Sequence, residues 1–193
     1  MVLRAGSPAW WTTTPRLLGS AACKHLGLVA ENGSRVGEGS AYPVPVPDLD
    51  PGAPLAPLTT LRLGGPARRV VEAATQEELV ETVRDCDARG EPVLVLAGGS
   101  NVVIADHGFD GTVVLVRTRG VRRRRAGERA LVTAQAGEPW DELVAALVDD
   151  GLAGVECLAG IPGSAGATPI QNVGAYGQEV AGTIVSVRVL DRR

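Results

Sequence analysis

Pro92-Val93-Leu94-Val95-Leu96-Ala97-Gly98-Gly99-Ser100-Asn101 is the stretch that sets the fold class. Its first half is a short apolar run rich in branched residues and reads as a buried strand. Its second half ends that strand abruptly. Two glycines let the backbone turn sharply and come close to a ligand without Cβ clashes. Successive N–H groups in such a turn form an anion-binding concavity, and Ser100 and Asn101 add side-chain donors. A pyrophosphate is the natural guest; a tight turn without a ligand is the plain alternative. No Gly-Lys-Ser/Thr follows, and the spacing is not GxGxxG, so this is neither a Walker loop nor the dinucleotide fingerprint. Val102 to Ala105 reads as a further strand. The phosphate would therefore be held by a loop between strands, without a helix dipole.

Upstream, Arg68 to Ala73 reads as a strand. Thr75-Gln76-Glu77-Glu78 then forms a capping box, in which the Thr hydroxyl and the Glu carboxylate each satisfy an orphan N–H. The helix it opens puts Leu79, Val83 and Cys86 on one face and stops at Gly90. Downstream, Thr112 to Val116 is a strand, and Val121 to Gln135 is a hairpin turning at Ala126-Gly127. Pro139 sits in the first turn of a second helix, where its missing N–H costs nothing. That helix turns Trp140, Leu143, Val144 and Leu147 inward and ends at Gly151; Thr183 to Leu190 is a last strand. Helices and hairpins mix, so the fold class is α+β rather than a strictly alternating doubly wound sheet.

The whole chain has 193 residues, enough for one domain or two small lobes sharing a cofactor. Aromatic residues are 3% of it, so the core must be built from Val, Leu, Ile and Ala. A net charge of −3 gives no general reason to expect nucleic acid or an acidic membrane as partner. The Arg122-Arg123-Arg124-Arg125 run alternates between strand faces and reads as a solvated hairpin edge rather than a nucleic-acid site. Cys23, Cys86 and Cys157 lack zinc spacing, so no metal is expected, and they read as small buried hydrophobes in a reducing compartment. No apolar run approaches a membrane span, and the N-terminal stretch, broken by Lys24 and His25, makes no signal-peptide core. The expected location is the cytoplasm. Residues 1–54, ending in the Pro43-Val44-Pro45-Val46-Pro47 segment, read as a flexible arm, or equally as translated sequence upstream of the true start. Ordered structure is expected over 55–193.

A second glycine-rich stretch runs from Gly160 through Ile161, Pro162, Gly163 and Ser164 to Gln171-Asn172-Val173-Gly174-Ala175-Tyr176-Gly177. It has few large side chains, so either it is a floppy surface loop or it wraps a bound partner with its backbone. Gln171 and Asn172 offer donors and acceptors that match the edge of a flavin or an amide. Tyr176 is a flat amphipathic group that serves a ligand or a core edge equally well. Order in this stretch is expected to come from a ligand rather than from its own packing, because each residue fixed costs roughly 1–2 kcal/mol of backbone entropy.

Taken together, Leu58-Thr59-Thr60-Leu61-Arg62-Leu63-Gly64-Gly65-Pro66-Ala67, the Gly98 to Asn101 loop and the Gly160 to Gly177 stretch resemble the UDP-N-acetylenolpyruvoylglucosamine reductase family. They occur in that family's order, and the resemblance covers about residues 55 to 193. Gly-Ile-Pro-Gly followed by Pro-Ile-Gln-Asn-Val-Gly-Ala-Tyr-Gly is its most specific part; the first glycine loop is shared with flavoproteins of the vanillyl-alcohol-oxidase (PCMH) type. The resemblance implies two α+β lobes gripping an extended FAD. Gly98, Gly99, Ser100 and Asn101 would hold the pyrophosphate. Gly160, Ile161, Pro162, Gly163, Gln171, Asn172, Gly174, Ala175, Tyr176 and Gly177 would line the rest of the dinucleotide and the flavin. In related oxidases a histidine in the first loop often bonds covalently to the flavin; here that loop has none, and His107 reads as a surface residue, so the flavin is expected to be non-covalent.

The resemblance further implies NADPH as reductant and a UDP-sugar enolpyruvyl ether as substrate, in peptidoglycan precursor synthesis. It also implies a serine proton donor steadied by a glutamate and an arginine, on a later substrate-binding domain. No positions here match those three residues, so the catalytic set is unassigned and the chain alone is expected to be inactive. Two other readings stay open: a non-catalytic flavin-binding fragment, and an FAD-dependent oxidase of a small hydroxylated substrate.

Overall fold

A computed structural model describes residues 1–6 and 52–192. In chain order the strands and helices are β1 (Val2–Gly6), β2 (Ala67–Ala73), α1 (Gln76–Ala88), β3 (Val93–Leu96), β4 (Phe109–Val116), β5 (Val121–Ala126), β6 (Arg129–Ala134), α2 (Trp140–Asp149), β7 (Gly174–Ala175), β8 (Gln178–Glu179) and β9 (Ile184–Ser186). Short 3-10 turns cover Ala56–Leu58, Glu156–Leu158 and Val180–Gly182. The mixture is α+β, as the spacing of hairpin and helix signals implies. The described residues fall into two compact units, one containing 1–6 and 120–188, the other 52–119 and 189–192.

The second unit is built on a parallel sheet in the order β2-β4-β3. Parallel strands need a crossover connection, and α1 carries the chain from β2 to β3, the two strands that flank β4. The central strand β4 is buried from Gly111 to Val116, so it reads as a continuous apolar run. Val114 joins Ala73, Val83 and the partly buried Leu79 on the α1 side, while Val113 and Leu115 pack with Leu55, Leu58, Leu96 and Ile104. This is the period-2 alternation of a strand. Val102 to Ala105, expected as a strand, is irregular chain. Ile104 is buried against Leu55 and Leu58, so packing rather than a ladder holds this segment.

The capping box forms as read. Thr75 Oγ1 accepts the Glu78 N–H at 3.1 Å, and the Glu78 carboxylate accepts the N–H groups of Thr75 and Ala74 at 3.0 and 2.8 Å. Those N–H groups, Thr75 first, hold the Glu78 carboxyl below the usual carboxylate range. The folded value lies under the unfolded one, so the stability it lends is complete above the ordinary Glu pKa and fades as pH falls through the lowered one. Thr75→Ala is expected to cost about 1 kcal/mol. Urea unfolding checks this; an unshifted midpoint would show that the cap contributes nothing.

The first unit is an antiparallel sheet in the order β5-β6-β1-β9, with β1 paired to β6 over Val2 to Gly6. These residues lie in the stretch read above as an arm; the remainder of that stretch up to residue 51 lies outside the described residues, as does Cys23. β5 and β6 join through Gly127, whose φ is +65°, with Ala126 opposite Arg129. β5 is an edge strand, so the arginine run sits on a solvated rim, with Arg123 paired to Asp150 at 2.7 Å. The core gathers Leu3, Val132, Trp140, Leu143, Val144, Leu147, Val155 and Leu158, all buried. The last strand is shorter than its apolar alternation suggested: only Ile184–Ser186 pair, and Val185, Val187 and Val189 are exposed. Among the described residues no helix is long and apolar enough to cross a membrane, and no His/Cys/Asp/Glu cluster could hold a metal ion.

Candidate functional site

In the second unit all three parallel strands end at the same edge. Ligands of open α/β sheets bind outside the carboxyl ends of the strands. The Ala97 to Asn101 loop leaves β3 there, and β4 follows it without an intervening helix, as its sequence implied. Gly98 and Asn101 are exposed, whereas Gly99 is buried. Gly99 has φ +66°, and a Cβ on it would stand 2.1 Å from the Leu58 carbonyl oxygen. Glycine is required here by the protein's own backbone. The Leu58 to Ala67 motif is the partner of that loop: Thr60 N–H donates to the Gly99 carbonyl at 3.0 Å, and Gly65 N–H to that of Ala105 at 2.9 Å.

Close approach is repeated along this contact. A Cβ at Gly65 would lie 1.9 Å from the Asp106 carbonyl oxygen, and one at Gly108 would lie 1.8 Å from that of Pro66. The buried Thr59 hydroxyl donates to the Leu63 carbonyl at 2.8 Å and accepts the Leu63 N–H at 3.1 Å, closing the turn that carries Leu61 and Arg62. His107, beyond the glycine loop, is exposed. One further residue reaches the glycine loop and was missed in the sequence. Arg117, the first residue after β4, donates its N–H to the Ala73 carbonyl at 2.9 Å. Its guanidinium donates to the Ala97 carbonyl at 3.4 Å and lies 3.8 Å from Glu72. A lone arginine in a chain with many gives no signal of this; only the strand register does.

In the first unit the second glycine-rich stretch is packed scaffold over much of its length, contrary to the expectation that a ligand must order it. Gly163 carbonyl accepts the Trp140 N–H at 3.0 Å, and Gly160 N–H donates to the Asp141 carboxylate at 2.5 Å. The stretch thereby caps α2, whose N-cap Pro139 has no side-chain cap of its own. Ala165 N–H donates to Glu138 and Gly166 N–H to Ala136, each at 2.8 Å. Ser164, Ala165, Thr168 and Val173 are buried. The anchors are small residues, which composition makes look weak, while the large ones, Ile170 and Tyr176, are 85% and 94% exposed. Ile161 is partly buried against the core, and Pro162 is exposed.

Gln171 is exposed. The Asn172 amide serves the segment itself, donating to Glu179 at 2.9 Å and accepting the Ala181 N–H at 3.1 Å. Gly174 and Ala175 pair with Glu179 and Gln178, and Tyr176 and Gly177 form the two-residue loop between them with φ +51° and +80°. Two positive-φ residues are what a tight hairpin of this length demands; Gly177 takes that conformation freely and Tyr176 does not. Two buried polar atoms have no hydrogen-bond partner among the described residues, the Ser164 hydroxyl and the Gln178 side-chain nitrogen. Gly160 and Gly177 have nothing within 4 Å on the side a Cβ would occupy. The named residues thus fall into two groups, 98–101 in one unit and 160–177 in the other, each containing positive-φ residues. Within the first unit, the orphaned Ser164 hydroxyl fits a polar ligand better than an apolar one.

The FAD binding domain family matches residues 67–193, so the chain belongs to that family. Among the members it resembles are UDP-N-acetylenolpyruvoylglucosamine reductases: that of Streptomyces coelicolor is 54% identical over 165 residues, 83% of this chain and 42% of the relative. That of Salinispora arenicola is 58% identical over 156 residues, 79% of this chain and 43% of the relative. The solved structure of UDP-N-acetylenolpyruvylglucosamine reductase from Thermus caldophilus matches with a TM-score of 0.50 and 31% identity, over 66% of this chain and 44% of the other. The chain spans less than half the length of the relatives it matches.

Proposed function

We propose that this chain supplies the FAD-binding part of an NADPH-using UDP-N-acetylenolpyruvoylglucosamine reductase acting in cytoplasmic peptidoglycan precursor synthesis. The observation that carries the reading is the Gly98 to Asn101 turn at the carboxyl edge of a parallel sheet, in a chain whose relatives are named for that reaction. Gly98, Gly99, Ser100 and Asn101 would hold the pyrophosphate. Gly160 to Gly163, Gln171, Asn172 and Gly174 to Gly177 would line the remainder, with the Ser164 hydroxyl as a further donor toward it. FAD, when bound, supplies the hydride-transfer chemistry; the chain's own part is to bind and orient it. Attachment is non-covalent, since the first loop holds no histidine and His107 lies beyond it.

No residue of this chain matches the serine proton donor or its arginine and glutamate partners, and general acid catalysis alone is worth about 10² to 10⁴ in rate. The 193-residue chain supplied with FAD is therefore expected to show no NADPH consumption on addition of UDP-N-acetylenolpyruvoylglucosamine. Sustained consumption, measured by the loss of NADPH absorbance, would place a proton donor within the chain and overturn this part of the reading.

A further inference from the structure

We propose that Arg117 is a positioning residue for phosphate binding: it sets the Ala97–Gly98 peptide so that the Gly98 N–H faces the ligand. This inference rests on the FAD reading above. The Arg117 guanidinium donates to the Ala97 carbonyl at 3.4 Å, and the Thr60 N–H donates to the Gly99 carbonyl at 3.0 Å. Alternate carbonyls of the loop are therefore both held from the protein side. A trans peptide is planar, with its C=O and N–H pointing in opposite directions. Fixing the Ala97 carbonyl toward Arg117 turns the Gly98 N–H to the opposite side, and Gly98 is exposed. Fixing the Gly99 carbonyl likewise fixes the direction of the Ser100 N–H.

Arg117 is itself well placed to do this. Its backbone N–H bonds to Ala73 at the end of β2, and it emerges beside the end of β3 because β4 lies between those strands. Glu72 stands 3.8 Å away and holds the guanidinium over the loop without closing on it. The side chain is 31% exposed, so it is not a core element whose removal must unfold the sheet. A fork-shaped donor can serve the carbonyl and the carboxylate together, which an ammonium cannot do in the same geometry.

The test uses the full 193-residue chain, wild type and the variants Arg117→Met, Arg117→Lys and Glu72→Gln, titrated with FAD and with riboflavin, which has no phosphate. Binding is followed by flavin fluorescence, and the helix content by circular dichroism. Arg117→Met is expected to weaken FAD binding roughly tenfold, the size of one hydrogen bond to a charged group, and to leave riboflavin binding and helix content unchanged. Arg117→Lys and Glu72→Gln should fall between. A merely structural role would weaken both ligands alike and overturn the proposal. So would unchanged FAD affinity in Arg117→Met, with the FAD reading still standing. Failure of the wild-type chain to bind FAD would remove the FAD reading and this inference with it.

Discussion

Trp140→Ala is expected to cost about 3–5 kcal/mol of stability, the range for deleting a fully buried tryptophan. The ring is inaccessible in the core of the first unit, and its indole N–H donates to the Leu158 carbonyl at 3.0 Å. Its backbone N–H holds the Gly163 carbonyl. One residue thus ties α2 both to the 3-10 turn before the second glycine stretch and to the stretch itself. Typical domains have only about 5–15 kcal/mol in total, so the first unit should be largely unfolded at modest urea. Trp140→Phe keeps most of the apolar volume but leaves the Leu158 carbonyl unpaired, and is expected to lose about 1–3 kcal/mol. Urea titrations followed by circular dichroism separate the two. Equal midpoints for wild type and Trp140→Ala would mean that this side chain does not anchor the core of the first unit.

Gly99→Val is expected to abolish FAD retention. Valine is strongly disfavoured at φ +66°. Its Cβ would meet the Leu58 carbonyl oxygen at 2.1 Å and the Thr59 Cα at 2.9 Å, both backbone atoms that cannot rotate away. The loop must lift off the Leu58 to Ala67 motif, losing the Thr60 to Gly99 hydrogen bond and the direction of its N–H groups. The damage reaches the ligand through the loop's seat and not by filling the ligand's space. α1 draws its order from its own cap and its own face of the sheet, so helix content should largely survive. A variant that purifies with a full complement of flavin would show that this loop is not the phosphate site.

The elements with local signals were legible in the sequence. The Thr75 cap, the apolar face of α2 and the β5–β6 hairpin each rest on residues close together in the chain. Contacts between distant segments were not legible. Nothing in Val102 to Ala105 reveals that Ile104 packs on Leu55 and Leu58, nor that Gly65 and Gly108 are required by carbonyls of Asp106 and Pro66. The second glycine stretch takes its order not from large side chains but from Ala165 and Val173 in the core, from hydrogen bonds it donates to the Ala136 and Glu138 carbonyls, and from the one it accepts from the Trp140 N–H. Asn172, read as a donor and acceptor for a flavin, also has its amide bonded to Glu179 and Ala181. Arg117 was invisible because its importance lies in strand order: β4 runs between β2 and β3 and delivers it beside a loop twenty residues earlier in the chain.

The proposed function requires this polypeptide to bind FAD without a covalent link. The measurement is an absorbance spectrum of the purified 193-residue chain after incubation with FAD and removal of excess, taken before and after denaturation and filtration. The expected result is a protein-bound flavin spectrum in the native sample, with all of the flavin passing the filter once the protein is unfolded. A colourless native protein would contradict FAD binding, and flavin retained with the denatured chain would contradict non-covalent attachment.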